Sequence, residues 1–286
     1  MHHDRFTALK NIDAFTSDMF NRIISFQEKD HPAWNSQFDF SSRIKGLPLH
    51  NLIFSNPDRD PNAYGPTVAP YYPLREEMLK LAHYANQLNE HPLVLDWYPG
   101  NGFIGSLLAR ENLKVLGIKD NIAKPNQIEF FYDELCYNFC NGPIPSHSDM
   151  VFASWIPSNL DPTPSILELK PKLIVYVFTE HLDPQSNLRQ TGTDDMFDSL
   201  QDRYRLLDSW SVTRPKNLLH EIWPDMTPNI EETRFTRVYI DTSIATDVII
   251  PFNYNVTGEV YDWEKDLKFA LLALEAKQAL QTRRVL

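Results

Sequence analysis

The sequence predicts an α/β fold, a doubly wound and mostly parallel sheet with helices on both faces. Three observations lead to this fold class. Short apolar runs alternate with segments of helical spacing, a glycine cluster follows the first apolar run, and two late strand-like runs have no convincing helix between them. Because strands joined without a crossover helix normally pair antiparallel, we expect the sheet to include an antiparallel last strand.

The composition fits one large globular unit. The chain has 286 residues, of which 42% are hydrophobic and 23% are charged, and a chain of this length buries roughly three-quarters of its unfolded surface. Its net charge of −11 disfavours duplex nucleic acid or an anionic membrane as a partner. The sequence has no apolar run of membrane-spanning length and no secretory leader pattern. We therefore expect a cytoplasmic protein.

The first elements along the chain are a helix and an irregular cap. Apolar residues at helical spacing over 6–26 predict an N-terminal helix, and residues 31–70, rich in Pro, Asn, Asp and aromatics, predict an irregular cap over a larger body. Helical spacing resumes over 74–88, after Pro73 and with two glutamates in the first turn, which favours a helix start.

The sheet-forming elements follow. Residues 93–95 predict a buried strand and residues 103–109 the helix after the glycines. Further strands are predicted over 114–118, 149–153, 173–178, 204–212 and 234–241. Residues 263–280 predict an amphipathic C-terminal helix that packs onto the core or contacts a partner chain, as in a homo-oligomer. The expected regions are an N-terminal cap over 1–70, the α/β domain over 71–245 and a C-terminal extension over 246–286.

The two cysteines, Cys136 and Cys140, lie four apart in the stretch CYNFC. A helical turn here would place their Cα atoms on one face without the geometry that a disulfide needs. Free thiols in a reducing cytosol are the simplest interpretation. A zinc site that also used His147 would have three ligands, fewer than a structural zinc site requires. We therefore expect no metal.

Glycine is scarce in this chain, so its position is informative. There are 9 glycines, and Gly100, Gly102 and Gly105 fall within six positions between a predicted strand and a predicted helix. Such a turn permits positive φ and lets the backbone approach a ligand closely. The letters match G-x-G-x-x-G, and Asp120 lies 20 residues beyond Gly100, where dinucleotide folds place a ribose-binding acid. One hypothesis is therefore an NAD-dependent oxidoreductase.

The residues before the glycines point to a different family. The stretch VLDWYPGNG over 94–102 resembles the first motif of the class I S-adenosylmethionine-dependent methyltransferases, in which an apolar strand ends in an acid and a glycine loop follows. Tyr98 stands at that family's first, often replaced glycine. The resemblance spans about residues 70–245. It implies a methyltransferase-like fold, S-adenosylmethionine as the cofactor, and methyl transfer to a small molecule or a protein side chain.

The resemblance also implies a set of cofactor-binding residues at the first, second and fourth strands. They are Asp96, Tyr98, Gly100, Asn101, Gly102, Asp120, Ser154 and Trp155. The family's ribose-binding acid would fall at Lys119, one position before Asp120, and a one-residue shift turns a side chain to the opposite face unless a bulge corrects it. The stretch from Asp149 lacks the Asn/Asp-Pro-Pro-aromatic signature of enzymes that methylate nucleobase amino groups.

Methyl transfer from a sulfonium needs positioning and, for a protonated acceptor, a base. Glu180 and His181 follow the strand over 173–178 and are the candidate catalytic bases, while Tyr71 and Tyr72 are candidates to close over the cofactor. The departures in the second and fourth motifs keep a second hypothesis open. In it, the chain retains the fold as a non-catalytic binding or scaffold protein.

Overall fold

The computed structural model of this protein describes residues 71, 73–100, 102–118, 137–182, 186–200, 203–213, 233–245 and 249–252. The predicted N-terminal helix and cap and the predicted C-terminal helix lie outside these residues. So do Tyr72, Asn101, Lys119, Asp120 and Cys136.

The described residues contain three α-helices and seven strands. The helices are α1 (Arg75–Leu88), α2 (Phe103–Ala109) and α3 (Thr163–Glu168). The strands are β1 (Leu93–Asp96), β2 (Lys114–Ile118), β3 (Tyr137–Cys140), β4 (Met150–Ser154), β5 (Leu173–Thr179), β6 (Tyr204–Thr213) and β7 (Thr233–Asp241). Sequence periodicity predicted α2 and β2 with these bounds. Every other predicted strand has its bounds within one residue of the observed ones.

The strands form one sheet in the order β3-β2-β1-β4-β5-β7-β6. The first five strands in this order pair in parallel. β7 lies antiparallel between β5 and β6. The prediction of a doubly wound, mostly parallel sheet with an antiparallel last strand is confirmed.

The described part of the stretch that contains the cysteines, residues 137–140, is a strand and not the helical turn considered for it in the sequence analysis. β3 pairs in parallel with β2, with Tyr137 opposite Val115 and Cys140 opposite Ile118. Pairing with a buried neighbouring strand overrides a local helical preference, since strand formation depends mostly on such tertiary contacts. Cys140 is a half-buried free thiol. No group of three metal-ligating side chains occurs among the described residues.

The sheet has two buried faces. Side chains alternate between them, so Val94 of β1 packs under α1 and α2 while Leu95 packs on the side of α3. We call these the α1 face and the α3 face. Apolar residues from the central strands fill both faces, and Phe152 and Ile174 are fully buried. Each such side chain contributes about 1.5–3 kcal/mol through burial. None of the described helices is long and apolar enough to cross a lipid bilayer.

Candidate functional site

The neighbours of β1 in the sheet define where a ligand binds in this kind of fold. β1 lies between β2 and β4, so the chain leaves the central strand in opposite directions on its two sides. Open α/β sheets bind ligands at the carboxyl ends of the strands beside such a switch point. Here the ends of β1 and β4 carry Asp96 and Ser154. The Trp97 amide donates to the Phe152 carbonyl oxygen at 2.9 Å and extends the pairing beyond β1.

The turn after β1 depends on two glycines. Gly100 has a φ of 53° and Gly102 a φ of 83°, both in the left-handed region. The Gly102 amide donates to the Pro99 carbonyl at 2.7 Å, and the Ser106 amide donates to Gly102 at 2.8 Å, so the turn leads directly into α2. A left-handed conformation costs a residue with a side chain roughly 1–2 kcal/mol. The clustering that sequence analysis noted is therefore required by the backbone of this turn.

Asp96 is buried under α2, and only 1% of its surface is exposed. The Tyr137 hydroxyl donates to Asp96 Oδ2 at 2.9 Å, while Oδ1 has no hydrogen-bond partner among the described residues. Burial raises the pKa of Asp96 to about 7, and the hydrogen bond from Tyr137 opposes that rise. A buried carboxyl oxygen without a partner is uncommon in native structures, and a binding or catalytic role is one explanation for it.

Tyr137 reaches Asp96 because two glycines leave room for its ring. A Cβ atom on Gly105 of α2 would overlap Asp96 Oδ2 and Tyr137 Cε2, and a Cβ atom on Gly117 of β2 would overlap the Tyr137 hydroxyl. The ring fills the space between α2 and β2, and Tyr137 is fully buried. Sequence analysis did not identify Tyr137, because it predicted no strand over residues 137–140. The signals available in the sequence were Gly105, at the end of the glycine cluster, and the lone Gly117, whose missing side chains leave room for this ring.

Ser154 and Trp155 join a second cluster on the α1 face. The Tyr71 ring lies 5.4 Å from the Trp155 ring, measured between centroids, and Ser154 lies beside the Tyr71 hydroxyl. The Arg234 guanidinium lies 4.9 Å from the centre of the Tyr71 ring and pairs with Glu77 of α1. Burial raises the pKa of Tyr71 well above its ordinary value. Sequence analysis did not single out Glu77 or Arg234, since neither lies in a recognised motif.

The remaining described candidates lie on the other side of the sheet or make only backbone contacts. Tyr98 packs against the core of the α3 face, and burial raises its pKa to about 12. Glu180 lies 4.0 Å from Arg237, whose guanidinium stacks on aromatic rings of the α3 face. The His181 amide donates to Thr179 Oγ1 at 3.2 Å. Thus Tyr98 and Glu180 do not join Asp96 and Ser154.

The loops after β4 and β5 are held together at the same edge of the sheet. Pro157 pairs with Thr191 and Ser158 with Gly192 in isolated β-bridges. The Ser158 hydroxyl also donates to the Arg189 carbonyl at 2.5 Å. These contacts fix the two loops that border the carboxyl ends of the central strands.

Strand order and direction identify the fold. Five parallel strands with β1 central, followed by β7 inserted antiparallel between β5 and β6, form the arrangement that the sequence resemblance implied. The chain has the class I methyltransferase fold. No family model matches the sequence, and no curated protein sequence matches it.

Solved structures with a similar fold include three that contain S-adenosylhomocysteine. Magnesium protoporphyrin IX methyltransferase from Synechocystis PCC 6803, with bound S-adenosylhomocysteine, is 11% identical, with 82% of this chain and 98% of that chain covered and a TM-score of 0.41. A SAM-dependent methyltransferase from Thiobacillus denitrificans, in complex with S-adenosylhomocysteine, is 12% identical. The match covers 68% of this chain and 99% of that chain, with a TM-score of 0.36. The 1,6-didemethyltoxoflavin-N1-methyltransferase from Burkholderia thailandensis is 12% identical. The match covers 58% of this chain and 79% of that chain, with a TM-score of 0.37.

Proposed function

We propose that this protein binds S-adenosylmethionine at the carboxyl ends of β1 and β4 and transfers its methyl group to a small molecule or a protein side chain. One observation carries the proposal. A turn that needs left-handed glycines at positions 100 and 102 stands next to a buried acid, Asp96, at the switch point of the sheet. One oxygen of that acid has no hydrogen-bond partner in the part of the chain that the structure describes.

The residues of this edge fit such a cofactor. The Gly100 and Gly102 backbone allows close approach because no side chain stands in the way. Asp96 offers a carboxyl oxygen that no described residue hydrogen-bonds, and Ser154 ends the neighbouring strand, with Trp155 directly after it. When bound, the cofactor supplies a methyl group activated by a positively charged sulfur. The protein has to orient the acceptor and, where the acceptor is protonated, remove its proton.

Glu180 and His181 are the proposed bases. Glu180 is half-exposed and its carboxylate is within 4.0 Å of Arg237, so that carboxylate already has a partner. His181 is half-buried, and imidazole is the side chain most often used as a general base. We therefore propose His181, before Glu180, as the general base.

The charge and cysteine content support the remaining parts of the proposal. A net charge of −11 favours a small molecule or a protein side chain over duplex nucleic acid as the acceptor. Cys140 is a free thiol, which suits a reducing cytoplasm. The predicted C-terminal helix remains a proposed contact for a second copy of the chain or another partner.

A second candidate function is a non-catalytic methyltransferase-fold protein that binds an adenosyl ligand and a protein partner. The observation in its favour lies in the bridged loops after β4 and β5. In these loops, the residues Leu160, Leu182 and Leu188 are 42%, 49% and 47% exposed to solvent. Where exposed apolar side chains form a contiguous surface, they suit a protein partner. Binding without methyl transfer would favour this candidate.

Calorimetric titration with S-adenosylhomocysteine tests the site. We expect binding by the wild type and loss of binding in Gly100→Val, because valine cannot take the left-handed conformation of this position without strain. Gly142→Val is the matched control, since Gly142 has open space around its Cα. No heat with the wild type at millimolar ligand, or unchanged affinity in Gly100→Val, would contradict the proposed site. A response to NAD alone would instead favour the oxidoreductase hypothesis.

A second measurement distinguishes the enzyme from the scaffold. The protein is incubated with methyl-labelled S-adenosylmethionine and fractionated cell extract, and the label is followed into small molecules and into proteins. Labelling that disappears in Gly100→Val but persists in Gly142→Val supports the enzyme. Binding of the cofactor without labelling of either fraction supports the scaffold.

A further inference from the structure

We propose that Tyr137 is a positioning residue: its hydroxyl holds Asp96 Oδ2 and thereby leaves Oδ1 as the acceptor for a hydrogen-bond donor of the ligand. This inference rests on the proposed function and adds a residue outside the motifs of the first, second and fourth strands. Tyr137 acts through Asp96 and is not itself a contact of the ligand.

The position of the Tyr137 ring is fixed on several sides. The ring packs edge to face against Phe139, with 5.5 Å between ring centroids. Gly105 and Gly117 border it from α2 and β2, and a single added carbon at either position would overlap it. The hydroxyl therefore has a defined place, and its bond to Asp96 Oδ2 at 2.9 Å fixes the rotation of the carboxyl group. Two of the nine glycines of the chain serve this one ring.

The hydroxyl also affects the charge of Asp96. The charged and titratable groups near Asp96 in the described residues are few. Tyr137 faces it from β3, and Tyr71 lies near it from the segment before α1. The charges of Glu77 and Arg234 act on Tyr71. The described residues of α2, FIGSLLA, carry no titratable side chain. The Tyr137 hydroxyl is thus the hydrogen-bond donor that favours the ionised form of Asp96 against the effect of burial.

This arrangement predicts a proton-linked ligand affinity. An ionised Oδ1 accepts a donor from the ligand, whereas a protonated carboxyl accepts it poorly. Because the pKa of Asp96 is raised to about 7, we expect the affinity to rise with pH around neutrality. Tyr137→Phe removes the bond that favours ionisation, so the pKa of Asp96 and the midpoint of the affinity change should both move up by about one pH unit.

The test is the affinity for S-adenosylhomocysteine from pH 5.5 to 8.5, measured by calorimetry for the wild type and Tyr137→Phe. We expect Tyr137→Phe to bind about fivefold more weakly at pH 7 and to recover to within about twofold at pH 8.5, as a midpoint shift of about one unit requires. Asp96→Asn should bind without this pH dependence. Tyr204→Phe is the matched control, because it also loses a buried hydroxyl hydrogen bond, to the Pro171 carbonyl, on the opposite face of the sheet.

A second readout needs no ligand. The carboxyl carbon of Asp96, followed by NMR in the free protein, should titrate at higher pH in Tyr137→Phe and at unchanged pH in Tyr204→Phe. Equal weakening at every pH, with Asp96 titrating as in the wild type, would mean that Tyr137 has only a packing role and would overturn the inference. If Asp96 shifts but the wild type binds no ligand at any pH, the proposed function fails and the role of Tyr137 in ligand binding fails with it. If the wild type binds and Tyr137→Phe keeps its pH profile, only the role of Tyr137 fails.

Discussion

Glu77 of α1 and Arg234 of β7 form an ion pair in which 8% and 4% of the two side chains are exposed. The Trp210 indole nitrogen donates to Glu77 Oε1 at 3.0 Å, and the guanidinium of Arg234 also faces the Tyr71 ring. The pair joins the helix before β1 to the antiparallel strand at the far side of the sheet. Because both charges are out of water, each depends on the other.

Removal of one partner should therefore be costly. We expect Glu77→Leu to lower the free energy of unfolding by about 3–5 kcal/mol, since the Arg234 charge stays buried without its partner. The measurement is urea unfolding followed by tryptophan fluorescence. Glu180→Leu is the control, because its pair with Arg237 is partly exposed, and exposed pairs contribute about 1 kcal/mol or less. The double variant Glu77→Leu/Arg234→Met should recover most of the loss, and additive losses in it would contradict the buried-pair interpretation.

Asp96 should make stability fall as pH rises towards neutrality. Its pKa is raised from an ordinary value of 3.8 to about 7, so between these values the folded state holds a proton that the unfolded state has released. Stability is highest below that window, decreases through it, and is lower by on the order of 4 kcal/mol above it. Asp96→Asn should lose this dependence and gain stability relative to the wild type at pH 8. Thermal unfolding of both proteins at pH 5 and pH 8 checks this, and parallel changes in the two would refute it.

Gly117 and Tyr137 should be energetically coupled. Gly117→Ala should lower the free energy of unfolding by about 1–3 kcal/mol, because its Cβ overlaps the Tyr137 hydroxyl. In a Tyr137→Phe background that atom is absent, so the same change should cost at least about 1 kcal/mol less. A double-mutant cycle in urea measures the difference. Gly142→Ala, where nothing lies within 4 Å of the added carbon, should show no coupling to Tyr137.

Asp149 should stabilise the sheet at the amino-terminal ends of β1 and β4. Its carboxylate accepts hydrogen bonds from the Leu93 amide at 2.9 Å, Asn89 Nδ2 at 3.1 Å and Lys172 Nζ at 2.8 Å. Burial alone would raise the pKa of Asp149, but these partners lower it overall. Its contribution to stability is therefore present above the ordinary carboxyl pKa and is lost as pH falls below it.

Asp149→Ala should accordingly cost about 1.5–3 kcal/mol at pH 7 and less at pH 3, because below the ordinary carboxyl pKa the unfolded state takes up a proton that the hydrogen-bonded carboxylate of the folded state resists. Urea unfolding at the two pH values measures the effect. Asp194→Ala is a suitable control, since the Asp194 side chain is 84% exposed. An equal cost of Asp149→Ala at both pH values would show that charge does not contribute.

Local sequence patterns predicted the central strand, turn and helix because the residues of each element favour the structure that they form. The apolar run at 93–95, the glycines at 100 and 102 and the helix over 103–109 each obey a rule that acts within a few residues. The same rules did not predict the strand Tyr137–Cys140. That strand is set by its pairing with β2, a contact between segments about 20 residues apart in the sequence that no local period records.

The sequence by itself determined six of the seven described strands, the helices α1 and α2, the antiparallel ending of the sheet and the place of the glycine turn. Each follows from the periodicity of apolar residues or from the conformational freedom of glycine. Tertiary structure alone decided which of the candidate side chains meet. It placed Asp96 and Ser154 on the α1 face, turned Tyr98 and Glu180 towards the α3 face, and brought the Tyr137 hydroxyl to Asp96. These contacts depend on the face to which each strand turns its residues and on the space left between strands and helices, and both are set only when the sheet assembles.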